Sequence, residues 1–248
     1  MHALRASGSV FAEDEAALLL EASAGDAARL SELLGRRVAG LPLEQLLGWA
    51  EFAGLRVAVE PGVFVPRRRT EFLAELAIDA CSPDAIVVDL CCGSGAIGAA
   101  VLASVPAARL WASDVTAESV RCARRNLGDR ATVVRGDLFA ALPNTLRGRV
   151  DVLAVNAPYV PSASIALMPP EARVHEPHSA LDGGLDGLDV HRRVAADAGG
   201  WLRQGAILLI EVGAEQAPTS AALFEAGGFT TCIARDGSRD ATVVVARR

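Results

Sequence analysis

Apolar residues between positions 13 and 37 recur at spacings of three and four, with Leu18, Leu19 and Ala22 in one stripe and Leu30, Leu33 and Leu34 in the next. That period predicts helix, and Gly25-Asp26 breaks it into two short pieces. Leu41-Pro42 opens a further helical turn, and positions 49–59 alternate around Gly54 as a β-hairpin would. Pro66 then leads into a helix-like stretch over 70–80. After Pro83 the pattern changes. Short β-branched runs at 86–89, 109–113, 132–135 and 152–155 alternate with helical stretches. Three more runs follow at 207–212, 230–234 and 242–246, the last two close enough to pair antiparallel. Alternation of this kind predicts an α/β fold, a doubly wound sheet with helices on both faces. The expected division is a helical cap over 1–48, a hairpin linker over 49–66 and the main domain over 67–248.

Composition narrows the classes of function. A chain of 248 residues with 51% apolar and 22% charged residues buries a sizeable core. The net charge of −6 argues against stable binding to a phosphate backbone, which draws its affinity from clustered basic residues. No apolar run approaches the ~18 residues of a membrane span, and the first residues lack a signal-peptide core, so a cytoplasmic protein is expected. The five cysteines are odd in number and lack CxxC spacing, which suggests neither a disulfide framework nor zinc.

In an open α/β sheet, ligands bind beyond the carboxyl ends of the strands. The first run of the main domain ends in Asp89-Leu90-Cys91-Cys92-Gly93-Ser94-Gly95, a strand-to-helix turn in which glycines let a ligand approach the backbone, read as a cofactor turn with Asp89 among its cofactor-binding residues. No Gly-Lys-Ser/Thr follows, so this is not a P-loop. The second run ends at Asp114, 25 residues after Asp89, where an acidic residue accepts from ribose hydroxyls or, alternatively, caps the next helix. The third ends at Asp137 and Leu138, the aspartate placed to accept from an adenine amine and the leucine to cover the ring, with capping again the competing role. The fourth ends at Asn156-Ala157-Pro158-Tyr159, a tetrapeptide that in isolation reads as a turn. After three cofactor-like strand ends, it falls where a transferable group meets its acceptor. The Asn156 side-chain oxygen and the Ala157 carbonyl can grip a planar NH2, leaving the nitrogen lone pair aimed at a methyl donor. Pro158 stiffens that loop, and Tyr159 packs against the acceptor plane or the donor.

These residues resemble the HemK/PrmC family of protein-(glutamine-N(5)) methyltransferases. The likeness starts near Gly40-Leu41-Pro42-Leu43-Glu44-Gln45 and passes through Val65-Pro66-Arg67, the glycine turn and the tetrapeptide. It continues into Glu176-Pro177-His178-Ser179-Ala180-Leu181-Asp182-Gly183-Gly184 and on to Asp189. The resemblance implies a class I S-adenosylmethionine-dependent methyltransferase, a Rossmann-like domain of seven strands behind a helical cap. It implies as substrate a glutamine in a Gly-Gly-Gln motif of a release factor or ribosomal protein. S-adenosyl-L-methionine would lie against the turn from Cys91 to Gly95, Asp114 and Leu138. Asn156 would touch cofactor and substrate, and Ala157, Pro158 and Tyr159 would line the substrate slot. The sequence departs from the family at three points: Ala157 stands for a proline, Cys91 for a glycine, and Arg68-Arg69 for Pro-Glu. Cysteine at 91 leads to the expectation that this position avoids strongly positive φ. A cap shorter than the family's usual helical domain leaves a paralogue with another target in view.

Two other activities fit parts of the pattern: N-methylation of adenine in nucleic acid, which the acidic charge disfavours, and a silent cofactor-binding scaffold. His175, Glu176 and His178 are interrupted by Pro177 and form no helical metal-ligand spacing, so no metal is expected. Cys91 and Cys92 are read as inert, and Arg67 to Arg69 as a solvated helix start.

Overall fold

The computed structural model describes all 248 residues. The first four helices, α1 (His2–Ala6), α2 (Ala12–Ser23), α3 (Ala27–Val38) and α4 (Leu43–Leu47), close on a small core of their own around Leu4, Ala12, Leu19 and Leu33. The break between α2 and α3 has two causes. Ala24 and Gly25 both turn left-handed, and the Asp26 carboxylate accepts from the Ala28 and Arg29 amides to cap α3. Arg37 then binds both oxygens of Glu15 at 2.8 Å, tying α3 back to α2.

Strands β1 (Trp49–Phe52) and β2 (Leu55–Ala58) pair antiparallel around a two-residue turn in which Ala53 and Gly54 both have positive φ. The hairpin is not a loose linker. Phe52 and Val57 are buried in the same cluster as Leu73, Ala74 and Ala77 of α5 (Thr70–Ala80), and the Asn126 side chain bonds both the amide and the carbonyl of Ala58.

The main sheet has seven strands: β3 (Ile86–Leu90), β4 (Arg109–Asp114), β5 (Ala131–Arg135), β6 (Val150–Val155), β7 (Leu202–Glu211), β8 (Thr230–Asp236) and β9 (Ala241–Arg247). Their order is β5-β4-β3-β6-β7-β9-β8, parallel through β7 and antiparallel beyond it. Every residue of β3 is buried, as a central parallel strand requires. Side chains alternate between two cores. Val88, Leu90, Leu153 and Leu208 face the side covered by α9 (Asp189–Ala198) and α10 (Ala217–Ala226). Val87, Val152 and Leu209 face α5, α6 (Ala96–Ser104) and α7 (Ala117–Leu127). The chain leaves β3 towards β4 and later returns to β6 on the other side, so β3 and β6 flank the switch point where a crevice must open. No helix is long and apolar enough to cross a membrane.

Because Phe52 anchors the hairpin with no exposed surface, Phe52→Ala is expected to cost about 3–5 kcal/mol, the range for an aromatic deleted from a packed core. Urea unfolding of both proteins measures it, and a loss below about 1 kcal/mol would show the hairpin to be dispensable.

Candidate active site

The crevice at the switch point is a cavity of about 490 Å³, walled by the residues that follow β3, β4, β5 and β6. From the first turn come Cys91, Cys92, Gly93 and Ser94; from the next two strand ends come Asp114, Asp137 and Leu138; from the fourth come Asn156, Ala157, Pro158 and Tyr159. Residues predicted from four separate sequence segments thus share one wall.

The turn after β3 is held from both ends. Cys92 donates its amide to the Ser113 carbonyl, and Gly93 donates to the Asp114 carboxylate at 3.0 Å. The other Asp114 oxygen accepts from the Thr116 amide and hydroxyl at 3.0 and 3.1 Å. Helix capping is done by Thr116, which accepts from the Ser119 amide, so the capping role considered for Asp114 belongs to its neighbour. At Gly93 the backbone turns left-handed and a side chain would meet nothing within 4 Å, which leaves that face open to a ligand. Gly95 differs: a Cβ there would lie 3.2 Å from Ala123 and Leu127, so its role is to let α6 pack against α7. Gly95 does not line the cavity, and neither does Asp89. Both were expected to touch the cofactor.

Asp89 lies wholly buried beneath the turn. One of its oxygens accepts from the Gly98 amide at 3.1 Å, and the other has no partner. Burial pushes its carboxyl up to about 7, with the Gly98 hydrogen bond pulling the other way and the Asp114 charge adding to the rise. Its place is that of a strut under the start of α6.

The expectation for Cys91 does not hold. Its φ is +56°, as the glycine it stands for would allow, so the turn imposes the left-handed conformation on a residue with a Cβ. Leu138, at +48°, is held likewise. Burial raises the thiols of both Cys91 and Cys92 above their ordinary range. Asp137 makes no capping bond; its carboxylate pairs with Arg193 at 2.7 Å on the cavity rim.

Of the arginine run read as a solvated helix start, Arg68 and Arg69 are exposed as expected and Arg67 is half-buried. Arg67 places one nitrogen 2.7 and 2.6 Å from the two oxygens of the buried Glu176, and Arg69 lies 3.5 Å from the buried Glu211. Both arginines also line the cavity, while Arg68 faces solvent. Burial raises the Glu176 carboxyl, and the Arg67 charge opposes it.

At the tetrapeptide, Asn156 donates its side-chain amide to the Thr70 hydroxyl at 3.3 Å. Neither the Asn156 side-chain oxygen nor the Ala157 carbonyl accepts a hydrogen bond from the protein. The loop is fixed from behind by Gln216, whose side-chain amide donates to the carbonyls of Tyr159 and Asp186 at 3.0 and 2.7 Å. Gly187 presses on the same spot, where a Cβ would sit 2.2 Å from the Tyr159 carbonyl oxygen. Thr70, Arg69, Arg193, Gln216 and Glu211 escaped the sequence reading. Glu211 alone carried a usable signal, as an acidic residue closing an apolar strand run.

The methyltransferase small domain family matches residues 54–185 of this chain. A release factor glutamine methyltransferase of Gloeobacter violaceus is 42% identical over 83% of this chain and 73% of its own length. Those of Mycolicibacterium smegmatis and Streptomyces coelicolor are 39% and 40% identical, covering 84% and 74% of this chain and 75% and 67% of theirs. The chain belongs to the release factor glutamine methyltransferase family. Among solved structures, a methyltransferase from Pyrococcus furiosus superposes with a TM-score of 0.58 over 78% of this chain and 88% of that one, at 14% identity. A ribosomal protein L11 methylase from Lactobacillus delbrueckii gives 0.50 over 77% and 85%, at 18% identity. At such identities these two establish the fold alone, the class I methyltransferase sheet.

Two outcomes follow from the site. The Asp89 carboxyl at about 7 stands above its ordinary 3.8, so the native state loses stability as pH rises from the lower value through the higher one. The wild type should lose a few kcal/mol more than Asp89→Asn between about pH 5 and about pH 8 in urea unfolding, and parallel curves would refute this. Asp114→Ala removes a charged acceptor and frees the Gly93 turn, so calorimetry should show cofactor binding weaker by roughly 1–3 kcal/mol.

Proposed function

We propose that this chain transfers a methyl group from S-adenosylmethionine to the side-chain amide nitrogen of a glutamine in a release factor, acting in the cytoplasm. The observation that supports this most is the pair of acceptor oxygens, Asn156 Oδ1 and the Ala157 carbonyl, left without protein donors on the wall of a cavity that also holds the glycine turn. The cavity suits the cofactor's chemistry: an open backbone face at Gly93, a carboxylate at Asp114 for hydroxyls, and an apolar cover at Leu138. In this reading Cys91, Cys92, Gly93, Ser94, Asp114, Asp137, Leu138 and Asn156 bind the cofactor. Asn156, Ala157, Pro158 and Tyr159 form the acceptor slot. Helices α1 to α4 form the cap, and the hairpin joins it to the catalytic domain.

When bound, the cofactor supplies an electrophilic methyl carbon on a sulfonium sulfur. The chain's own task is to make an amide nitrogen attack it. That lone pair is delocalised into the carbonyl, so a basic side chain helps little, and orientation matters most. The Asn156 and Ala157 oxygens would each accept one N–H of the glutamine, turning the lone pair along the methyl–sulfur axis. The same fixed dipoles would stabilise positive charge as it develops on nitrogen, with no reorganisation at the moment of transfer. The new nitrogen–carbon bond would replace the carbon–sulfur bond, the sulfur would leave neutral, and the nitrogen would give up one proton to solvent. Thr70 accepts from the Asn156 NH2, which holds its oxygen towards the slot.

Asn156→Ala is expected to lower methyl transfer by at least about 10²-fold, the range for one preorganised polar contact, while cofactor affinity stays within a few-fold. The assay is transfer of labelled methyl to a release factor carrying Gly-Gly-Gln, with the modified residue mapped by mass spectrometry. Undiminished transfer by the variant would end the assignment of Asn156, and label on a residue other than glutamine would end the choice of acceptor.

A further inference from the structure

Behind the acceptor slot lies a carboxylate that does not itself face the cavity. Glu211 closes β7 and is 2% exposed. Strand β7 runs beside β6 with Ile210 opposite Val155, which makes Glu211 the next-door neighbour of Asn156 along the ladder. One of its oxygens accepts from the Tyr159 hydroxyl at 2.8 Å and has the Arg69 guanidinium 3.5 Å away. The other is buried without a partner. Thr70, also buried, accepts from Asn156 through its hydroxyl. The Glu211 carboxylate itself holds the hydroxyl of the tetrapeptide's last residue.

Such a group is costly to keep. Burial raises its carboxyl, while the Thr70 and Tyr159 hydroxyls and the Arg69 charge favour the ionised form. An apolar residue would fill the same space at the end of β7 without that cost. What an apolar residue could not do is accept the Tyr159 hydrogen bond that fixes that ring.

We infer that Glu211 is a positioning residue for methyl transfer, fixing the Tyr159 ring; this rests on the acceptor slot proposed above. Arg69 compensates its charge from the cavity side. Glu211 touches neither substrate nor cofactor, so its effect is exerted through the orientation of the groups that do.

Tyr159 is the chain's one tyrosine, so a ¹³C label at tyrosine Cζ gives a single NMR signal that reports its hydroxyl. In the full-length chain, that signal should move in Glu211→Ala and stay in place in Glu75→Gln, which alters only an exposed pair with Arg239. At saturating cofactor, Glu211→Ala should lower kcat for the release factor at least tenfold with the cofactor KM within threefold, and Glu211→Gln should recover at least a third of kcat. Combining Tyr159→Phe with Glu211→Ala should cost no more than the worse single change. A purely structural Glu211 would lower stability and leave kcat within threefold, which overturns the inference, as do single effects that multiply. If Glu211→Ala does not fold, Tyr159→Phe and Glu211→Gln replace it, since each alters the one hydrogen bond between them: coupled losses support the inference and multiplying losses overturn it. An unmoved NMR signal defeats the Glu211 inference alone. A displaced signal in a protein that leaves release factors unmethylated defeats the proposed function, and the inference with it.

Discussion

The parallel pairing of β3 with β4 on one side and β6 on the other is the constraint on which the site depends. It sets Leu90 beside Ser113 and Val155, so the chain leaves three neighbouring strands at one level. From that level Gly93 reaches Asp114, and Asn156 emerges beside the turn they form. A slip of one residue in any of these ladders would send each side chain to the opposite core, where it does not fit. The alternation of apolar residues between two separate cores therefore protects the geometry of the cavity as well as the fold.

Around this frame the protein keeps three carboxylates out of water, at Asp89, Glu176 and Glu211. Each has a different partner: a backbone amide under the glycine turn, an arginine from the segment before α5, and a tyrosine hydroxyl at the slot. Burial opposes ionisation at all three. Left-handed backbone at Cys91 and Leu138 adds strain of about 1–2 kcal/mol for each residue, borne because the surrounding ladders leave the turns no alternative. The lining of the cavity thus rests on groups held in place against their own preference, which is what preorganisation requires of a site that must orient a weak nucleophile.

Much of this was legible in the sequence because it is local. The strand runs, the helix break at Gly25-Asp26, the hairpin around Gly54 and the four polar strand ends follow from side-chain period and turn chemistry. The likeness in the glycine turn and in Asn156 to Tyr159 placed the chain in its family before any coordinates. What escaped were relations between distant segments. Asp89 looked like a ligand-binding residue because it stands at the head of the turn, yet its side chain points beneath the turn. Gly95 looked permissive for a ligand, and its missing Cβ instead serves α7. Arg67 and Arg69 have acidic partners that no local pattern reveals: Glu176 and Glu211 lie 109 and 142 positions away.

The amino-acid order by itself determined the class of fold, the strand ends that carry chemistry and the family, because these rest on hydrophobic period and short contiguous motifs. Only the tertiary structure decided which oxygens stay free, which carboxylates are buried, and that Tyr159 reaches Glu211. The reason is that hydrogen-bond partnership and desolvation depend on distance in space, and folding brings together residues whose separation along the chain says nothing of it.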